Sequence, residues 1–467
     1  MPPTPLPLTL RPWLPASVVL LLLAAFVPTL ATPPALQGQE RRVLDHDAYE
    51  IWRTIGNRAI GADGRWVHYT LERENADGEL VLVEVDTGRE LRIPRGTQPA
   101  FTPDGAHALF TVRPSRAAEA AARANRGGNA GASGAAAPRD TLGMVNLTSG
   151  AMVKIPDVQS WRLASDPAPG VAGWVAYHLH PPAATPEGES APAHGPVVLR
   201  NLATGTETRH PHAVAYSWAS SGERLLVADS VGGDGVEAVR GVRLLVPGSD
   251  AVTTVMEGTG ELRGFALTAR GDQVAFLHAP PEAGNAEGAG TAAEPAWRIR
   301  HWRSGMPEAR VAVAPGQEGL RTGWRVSENA TPSFSDNGRR LFFGTVPPAP
   351  APAALSDLEA QVDVEIWHWL DADLMTVQNV RAGQARRQSF QAVLHLGGGG
   401  GGAADRVVQL ADPRLPQVTM PAGGTAGIAL GRDTERYGIE ASWESPNFSD
   451  VYQVDVTTGE RTLILER

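Results

Sequence analysis

Short apolar runs separated by turn formers recur along this chain from about residue 59 to its end. In PAFTPDGAHALF, Pro99 to Phe110, an aromatic residue closes one apolar run, Pro-Asp-Gly turns the chain, and a second apolar run follows. The same pattern appears in AIGADGRWVHYTL (Ala59 to Leu71), YSWASSGERLLVA (Tyr216 to Ala228), FALTARGDQVAFL (Phe265 to Leu277) and PSFSDNGRRLFFG (Pro332 to Gly344). IALGRDTERYGIEAS, Ile428 to Ser442, reads as a weaker copy, and LASDPAPGVAGWVAYHL, Leu163 to Leu179, as another. Each copy is a hairpin signature: two strands joined at a turn where glycine supplies positive φ.

A second hairpin motif follows the first. LVLVEVDTGRELRI (Leu80 to Ile93), GMVNLTSGAMVKI (Gly143 to Ile155), VVLRNLATGTETR (Val197 to Arg209) and VYQVDVTTGERTLIL (Val451 to Leu465) turn at Thr87-Gly88, Ser149-Gly150, Thr204-Gly205 and Thr458-Gly459. Two hairpins in series make a four-stranded antiparallel unit. The turn glycines Gly64 and Gly105 are 41 residues apart, and Gly222 and Gly271 are 49 apart. That is the period of a propeller blade, about 40 to 50 residues. The expected fold is therefore all-β: a β-propeller of about seven four-stranded antiparallel blades, at 55–93, 99–155, 160–209, 214–256, 262–313, 331–410 and 426–465. One blade cannot bury both of its faces alone, so neighbours must stack around an axis. Trp66, Trp161, Trp174, Trp218 and Trp443 fall in or beside the predicted strands and are expected to pack between blades. Closure of the ring is expected to rest on packing between the first and last blades.

Four segments break the pattern and are expected to be solvated loops. They are the Ala/Gly-rich 115–140, which starts with a helical pattern, the Pro-rich 181–196, the segment 280–296, and 396–405 with its six-glycine run. The glycine run is not a phosphate loop, because no Lys-Ser or Lys-Thr follows it.

The N-terminus changes the picture of location. Arg11 precedes the apolar SVVLLLLAAFV, Ser17 to Val27, and Thr29 to Ala31 offer small residues for cleavage. The apolar run is short for a span of about 20 residues. It reads as a secretory signal peptide over 1–31 ahead of a propeller at 43–467. The protein is expected to be exported, periplasmic or extracellular, with no membrane span after signal cleavage. Its Ala-, Arg-, Pro- and Gly-rich composition reads as bacterial. The net charge is -10, which argues against nucleic-acid binding. The chain has no cysteine, which removes disulfides, thiolate metal sites and a cysteine nucleophile.

Candidate chemistry is sparse. No G-x-S-x-G nucleophile elbow occurs; GASGA at Gly131 to Ala135 has the wrong spacing. His178 and His180, and again His210 and His212, sit two apart. No third metal ligand accompanies either pair, so surface or loop histidines are expected, with no metal and no cofactor. The least ordinary stretch is Val362 to Phe390. It places Trp367, His368, Trp369, Asp371 and Asp373 within seven residues. One reading is an aromatic and acidic patch that meets a ligand or a partner domain. The other is a hairpin extension whose tryptophans pack between blades. Asp45, His46, Asp47 and Glu50 form a milder acidic cluster, read as a solvated approach to the fold.

The repeats at Pro99 to Gly105 and Pro332 to Gly338 resemble those of TolB-like propeller proteins. They also resemble the N-terminal propeller of the prolyl oligopeptidase family of serine peptidases. Asp47 to Glu72 and Val364 to Gln378 look like the second group. The resemblance implies a propeller that precedes an α/β-hydrolase domain, gates access to it and selects short peptides. The hydrolase domain would carry a Ser, Asp, His triad, and none of its positions can be matched to this chain. The expectation is thus a substrate-gating propeller portion, inactive alone, whose partners are a peptide substrate and the missing C-terminal hydrolase domain. The alternative is a self-sufficient periplasmic TolB-like propeller that binds a protein or peptide. An autonomous glycosidase or lyase is a third, but no acids or histidines recur at matching places in successive repeats.

Overall fold

The computed structural model describes residues 52–127, 137–182, 192–231, 238–281, 295–348, 365–397 and 404–467. The expected signal peptide, the acidic cluster at 45–50 and the GASGA stretch lie outside these residues. No helix among the described residues is long and apolar enough to cross a membrane.

The described strands form seven antiparallel sheets, each built from consecutive strands. Blade 1 contains β1 (Thr54–Ile60), β2 (Trp66–Glu72), β3 (Glu79–Glu84) and β4 (Glu90–Pro94). Blade 2 contains β5 (Gly96–Phe101), β6 (His107–Val112), β7 (Thr141–Asn146) and β8 (Met152–Ile155). Helix α1 (Arg116–Gly127) lies between β6 and β7. Blade 3 contains β9 (Val158–Arg162), β10 (Trp174–Leu179), β11 (Val197–Asn201) and β12 (Glu207–His210). Blade 4 contains β13 (Ala213–Trp218), β14 (Leu225–Val231), β15 (Val239–Leu245) and β16 (Val252–Gly258). Blade 5 contains β17 (Glu261–Leu267), β18 (Gln273–Ala279), β19 (Arg298–Arg303) and β20 (Arg310–Val313).

Blade 6 is the exception to four strands. Two short pieces, β21 (Arg325–Val326) and β22 (Ser333–Phe334), both pair with β23 (Arg340–Val346), which continues to β24 (Phe390–His395) and β25 (Arg406–Gln409). Helix α2 (Met375–Arg386) lies between β23 and β24. Blade 7 contains β26 (Gln417–Thr419), β27 (Ile428–Asp433), β28 (Asp450–Asp455) and β29 (Arg461–Leu465). Here the sequence expectation needs correction. Ile428 begins the second strand rather than the first, and Glu435–Tyr437 and Glu440–Ser442 are short 3-10 turns.

The first strands of neighbouring blades approach one another, β1 to β5, β13 to β17 and β17 to β22, so this edge is the inner rim. The turns follow the sequence reading. Gly105 takes φ 66° and donates its N–H to Thr102 O at 2.8 Å. Gly88 takes φ 70° and donates to Glu84 O at 2.8 Å. A Cβ on Gly88 would meet nothing within 4 Å. Gly88→Ala therefore tests the backbone term alone. It is expected to cost about 1 kcal/mol, read as a shift in the urea unfolding midpoint.

Burial in the second strands tells how the blades stack. β6 and β18 are buried at every position, as strands covered on both faces must be. Alternate residues point to opposite neighbours: Leu225 and Val227 pack toward blade 3, while Leu226 packs toward blade 5. Six apolar clusters join blades 1 to 2, 2 to 3, and so on to 6 to 7. In β2 and β27 burial instead alternates with a period of two. Trp66, His68 and Thr70 are buried toward blade 2, and Ala429 and Gly431 toward blade 6. Ile428 and Leu430 on the other face of β27 are exposed. Among the described residues no buried apolar cluster joins blade 7 to blade 1.

Trp66 is buried between blades 1 and 2, and Trp161, Trp174 and Trp218 pack against the clusters flanking blade 3. Trp443 does not pack between blades; it is 69% exposed in the connection between β27 and β28. Its place is taken by tryptophans that the pattern had not singled out. Trp297 and Trp302 are buried in blade 5, and Trp324 packs on Phe390 in blade 6.

Candidate functional site

Antiparallel connections alternate between the two ends of a sheet. In each blade the turn between the first and second strands and the turn between the third and fourth therefore share one end of the ring. The connection between the second and third strands, and the crossover to the next blade, share the other. Nearly all of the long segments fall at this second end. They leave and re-enter the blades here between β6 and β7, β10 and β11, β18 and β19, β23 and β24, and β27 and β28. Of the four segments expected as loops, 128–136, 183–191, 282–294 and 398–403 lie outside the described residues; the described ends of 396–405 join β24 to β25, at the opposite end.

The stretch with Trp367, His368, Trp369, Asp371 and Asp373 belongs to the connection between β23 and β24, at the long-connection end. Its tryptophans do not pack between blades: Trp369 is 84% exposed, and Trp367 is exposed too. The stretch folds on itself. Leu370 N–H donates to His368 Nδ1 at 3.2 Å, His368 N–H donates to Asp371 Oδ2 at 3.3 Å, and the imidazole stacks on Trp369. Arg381 of α2 pairs with Asp373 at 2.7 Å, and Asn379 donates to Glu365 Oε1 at 2.7 Å. Helix α2 has no buried residue; Val380 within it is exposed, as is Leu374 just before it. Its support comes from these polar contacts rather than from an apolar face.

No group of His, Asp and Glu among the described residues could hold a metal ion. His178 is buried rather than on the surface, and its Nε2 bonds Gly195 O at 3.2 Å. Burial holds its pKa below the ordinary value. His68 and His278 are built the same way, His68 on Asn57 O at 2.7 Å and His278 on Thr259 O at 2.9 Å. These imidazoles tie second strands to inner strands, crossovers and connections, which the i, i+2 spacing did not reveal.

The structure adds a cleft that the sequence did not. Between blades 1 and 2, at the inner rim and the long-connection end, lies a polar cleft of about 550 Å³. Asn57 comes from β1, Glu72 from the end of β2, Arg95 from the crossover, Gln98 from β5 and Arg113 from the end of β6. Three of these five hold left-handed backbone: Asn57 at φ 42°, Arg95 at φ 62° and Gln98 at φ 49°. Blade 5 uses glycine at the matching bulge and crossover, Gly264 at φ 59° and Gly260 at φ 110°. Smaller clefts open at the same end beside His194 and Arg240, and beside Ser333 and Ser389.

Comparison with known proteins gives the fold a context. No protein-family model matches the chain, and neither does any curated protein. Among solved structures, the β-propeller domain of the Trilobed protease from Pyrococcus furiosus is 9% identical, with a TM-score of 0.35 over 88% of this chain and 97% of that one. The acylaminoacyl peptidase of Pyrococcus horikoshii is 9% identical, with a TM-score of 0.34 over 91% of this chain and 54% of that one. TolB from Acinetobacter baumannii is 11% identical, with a TM-score of 0.29 over 88% of this chain and 77% of that one. This chain thus spans about half the length of the acylaminoacyl peptidase and nearly all of the isolated propeller domain.

Proposed function

We propose that this chain is the substrate-gating propeller portion of an exported prolyl oligopeptidase-like serine peptidase, with the hydrolytic chemistry carried by an α/β-hydrolase domain outside residues 1–467. The observation that carries this reading is the asymmetry of the ring. One end holds the clefts, α1, α2, the exposed tryptophans and most of the long connections. The other end is made mostly of tight turns. A catalytic domain seated on the first end would receive peptides sorted by size and polarity at the inner rim. The chain by itself supplies no nucleophile elbow and is inactive on this reading. Its hydrolytic partner would act through an acyl-enzyme.

The second reading is a self-sufficient periplasmic TolB-like propeller that binds a protein or peptide. The exposed Trp367, Trp369 and Trp443 at one end favour a protein contact there. Genomic DNA read past the codon for Arg467 separates the two. A frame that continues into a G-x-S-x-G segment, followed by Asp and His, supports the peptidase. The joined product should then react with a fluorophosphonate probe while residues 1–467 alone do not. A stop codon with no hydrolase behind it overturns the first reading and leaves the binding propeller.

A further inference from the structure

We propose that the cleft between blades 1 and 2 is an anchor for the free C-terminal carboxylate of a short peptide, with Arg113 as the principal donor. The proposal rests on the reading of this ring as a peptide-selecting propeller and adds the class of peptide that it selects.

The argument starts from what the cleft residues already bond. Asp77 accepts from the Arg116 N–H at 3.0 Å, and Glu79 pairs with Arg53 and Arg92 at 3.3 and 3.0 Å. Arg95 donates one Nη1 bond to Arg113 O at 3.1 Å, which fixes the Arg113 backbone at the rim. Gln98 accepts from Thr111 Oγ1 at 3.3 Å, so its amide N–H groups are left for another partner. Glu72 accepts from the Thr70 hydroxyl at 3.3 Å. The Arg113 guanidinium is exposed and donates no hydrogen bond within the described residues. Glu119 of α1 also lines the cleft and pairs with Arg123 at 3.6 Å, and Asp140 feels the Arg113 charge. The donor capacity left for a ligand thus sits on Arg113 and the Gln98 amide, with the Glu72 carboxylate facing them.

A peptide end matches that inventory. A carboxylate accepts two parallel N–H bonds from a guanidinium, a pairing stronger than a neutral hydrogen bond. The terminal amide N–H behind it needs one acceptor, which Glu72 supplies. An inorganic anion would leave Glu72 repelling it, and a cationic chain end would meet Arg95 and Arg113. Conformation points the same way. At the inner-strand bulge Asn57 and Gln98 hold left-handed backbone with side chains in place, where blade 5 carries Gly264; the crossover position of Arg95 is left-handed and non-glycine in blades 3 and 4 as well, at Asp157 and His212. Non-glycine residues in that region are strained, and such residues gather where function requires their side chains. A volume of about 550 Å³ holds the last few residues of a peptide, not a folded chain.

The test uses the full chain and a defined probe. Fluorescein-labelled Gly-Pro-Gly-Pro-Phe with a free carboxylate, and the same peptide as its C-terminal amide, are titrated into the protein and followed by anisotropy. The acid is expected to bind about tenfold or more tightly than the amide. Arg113→Gln should abolish that preference, and Arg113→Lys should keep part of it. Glu72→Gln should weaken both peptides alike. Arg113 is exposed, so these variants should unfold at the same urea concentration as the parent. Equal binding of acid and amide, an acid preference untouched by Arg113→Gln, or no saturable binding of the acid overturns the proposal. These outcomes do not depend on whether a hydrolase is encoded downstream. A missing hydrolase with an intact acid preference removes the peptidase reading and keeps the anchor.

Discussion

Asp412→Ala is expected to destabilise the protein by about 3 to 5 kcal/mol, the usual loss when one member of a buried ion pair is removed. Asp412 lies in the crossover from blade 6 to blade 7 and is 3% exposed. Its carboxylate accepts from Arg321 and from Arg461 Nη1 at 3.0 Å, and Oδ1 accepts the N–H groups of Arg414 at 2.9 Å and Leu415 at 3.0 Å. Burial pushes its pKa up, but the Arg461 and Leu415 hydrogen bonds and the two guanidiniums more than offset this and hold it below the ordinary carboxylate value. Arg461 also donates to Leu410 O at 2.9 Å, so one arginine of β29 fastens the crossover at two points. Truncation leaves that guanidinium, which is only 22% exposed, without its counter-charge. Arg321→Ala should cost much less, because the Arg321 side chain is 46% exposed and sheds its charge to water. Urea unfolding of the two variants checks the order. A loss below about 1 kcal/mol for Asp412→Ala would show that the crossover is not held by this pair.

The sequence made the blades legible because their rules are local. A turn glycine such as Gly88 or Gly105 marks its own conformation, and an apolar run such as Val274–Leu277 marks a strand covered on both faces. The reading weakened where the local rule was weak. β26 has three residues, too short for a period, so the copy at Ile428 was placed one strand early. Trp443 looked like a packing residue by its neighbours, yet the chain around it forms 3-10 turns rather than a strand. The cleft was not legible at all. Asn57, Glu72, Arg95, Gln98 and Arg113 come from five separate elements, and only the crossover between blades brings them together. A sign was present in hindsight: the inner-strand bulge that blade 5 builds with Gly264 carries Asn57 in blade 1 and Gln98 in blade 2. Asp412 was invisible for the same reason, since Arg321 lies 91 residues before it.

Stability is expected to fall steeply as pH drops from 6.5 toward 4, and His301 should account for the largest single share. His301 is 2% exposed in β19, where its Nε2 bonds Gln273 Oε1 at 2.9 Å. Gln273 passes the contact on to Gly338 O of blade 6 at 3.0 Å, so the imidazole sits in the joint between blades 5 and 6, with the Phe334 ring beside it. The other ring nitrogen, Nδ1, is buried with no hydrogen-bond partner. A second proton would have no acceptor there, and Arg310 and Arg303 would repel the charge, against a smaller attraction from Asp405. Burial, then the two arginines, lower the pKa from 6.5 to about 4. Because the folded value is the lower one, the unfolded chain binds the proton first. The neutral imidazole's contribution is intact above pH 6.5 and is lost as pH falls from there to about 4. Across that window the loss is roughly 3 kcal/mol. His68, His107, His178, His278 and His395 are also lowered chiefly by burial, and they add to the loss in the same direction. Urea unfolding at pH 7.5 and at pH about 4.5 measures the slope, and His301→Gln should flatten it while leaving the remaining histidines to act. A parent protein equally stable at both values, or a His301→Gln variant with the parent's slope, would place the acid sensitivity elsewhere than in this joint.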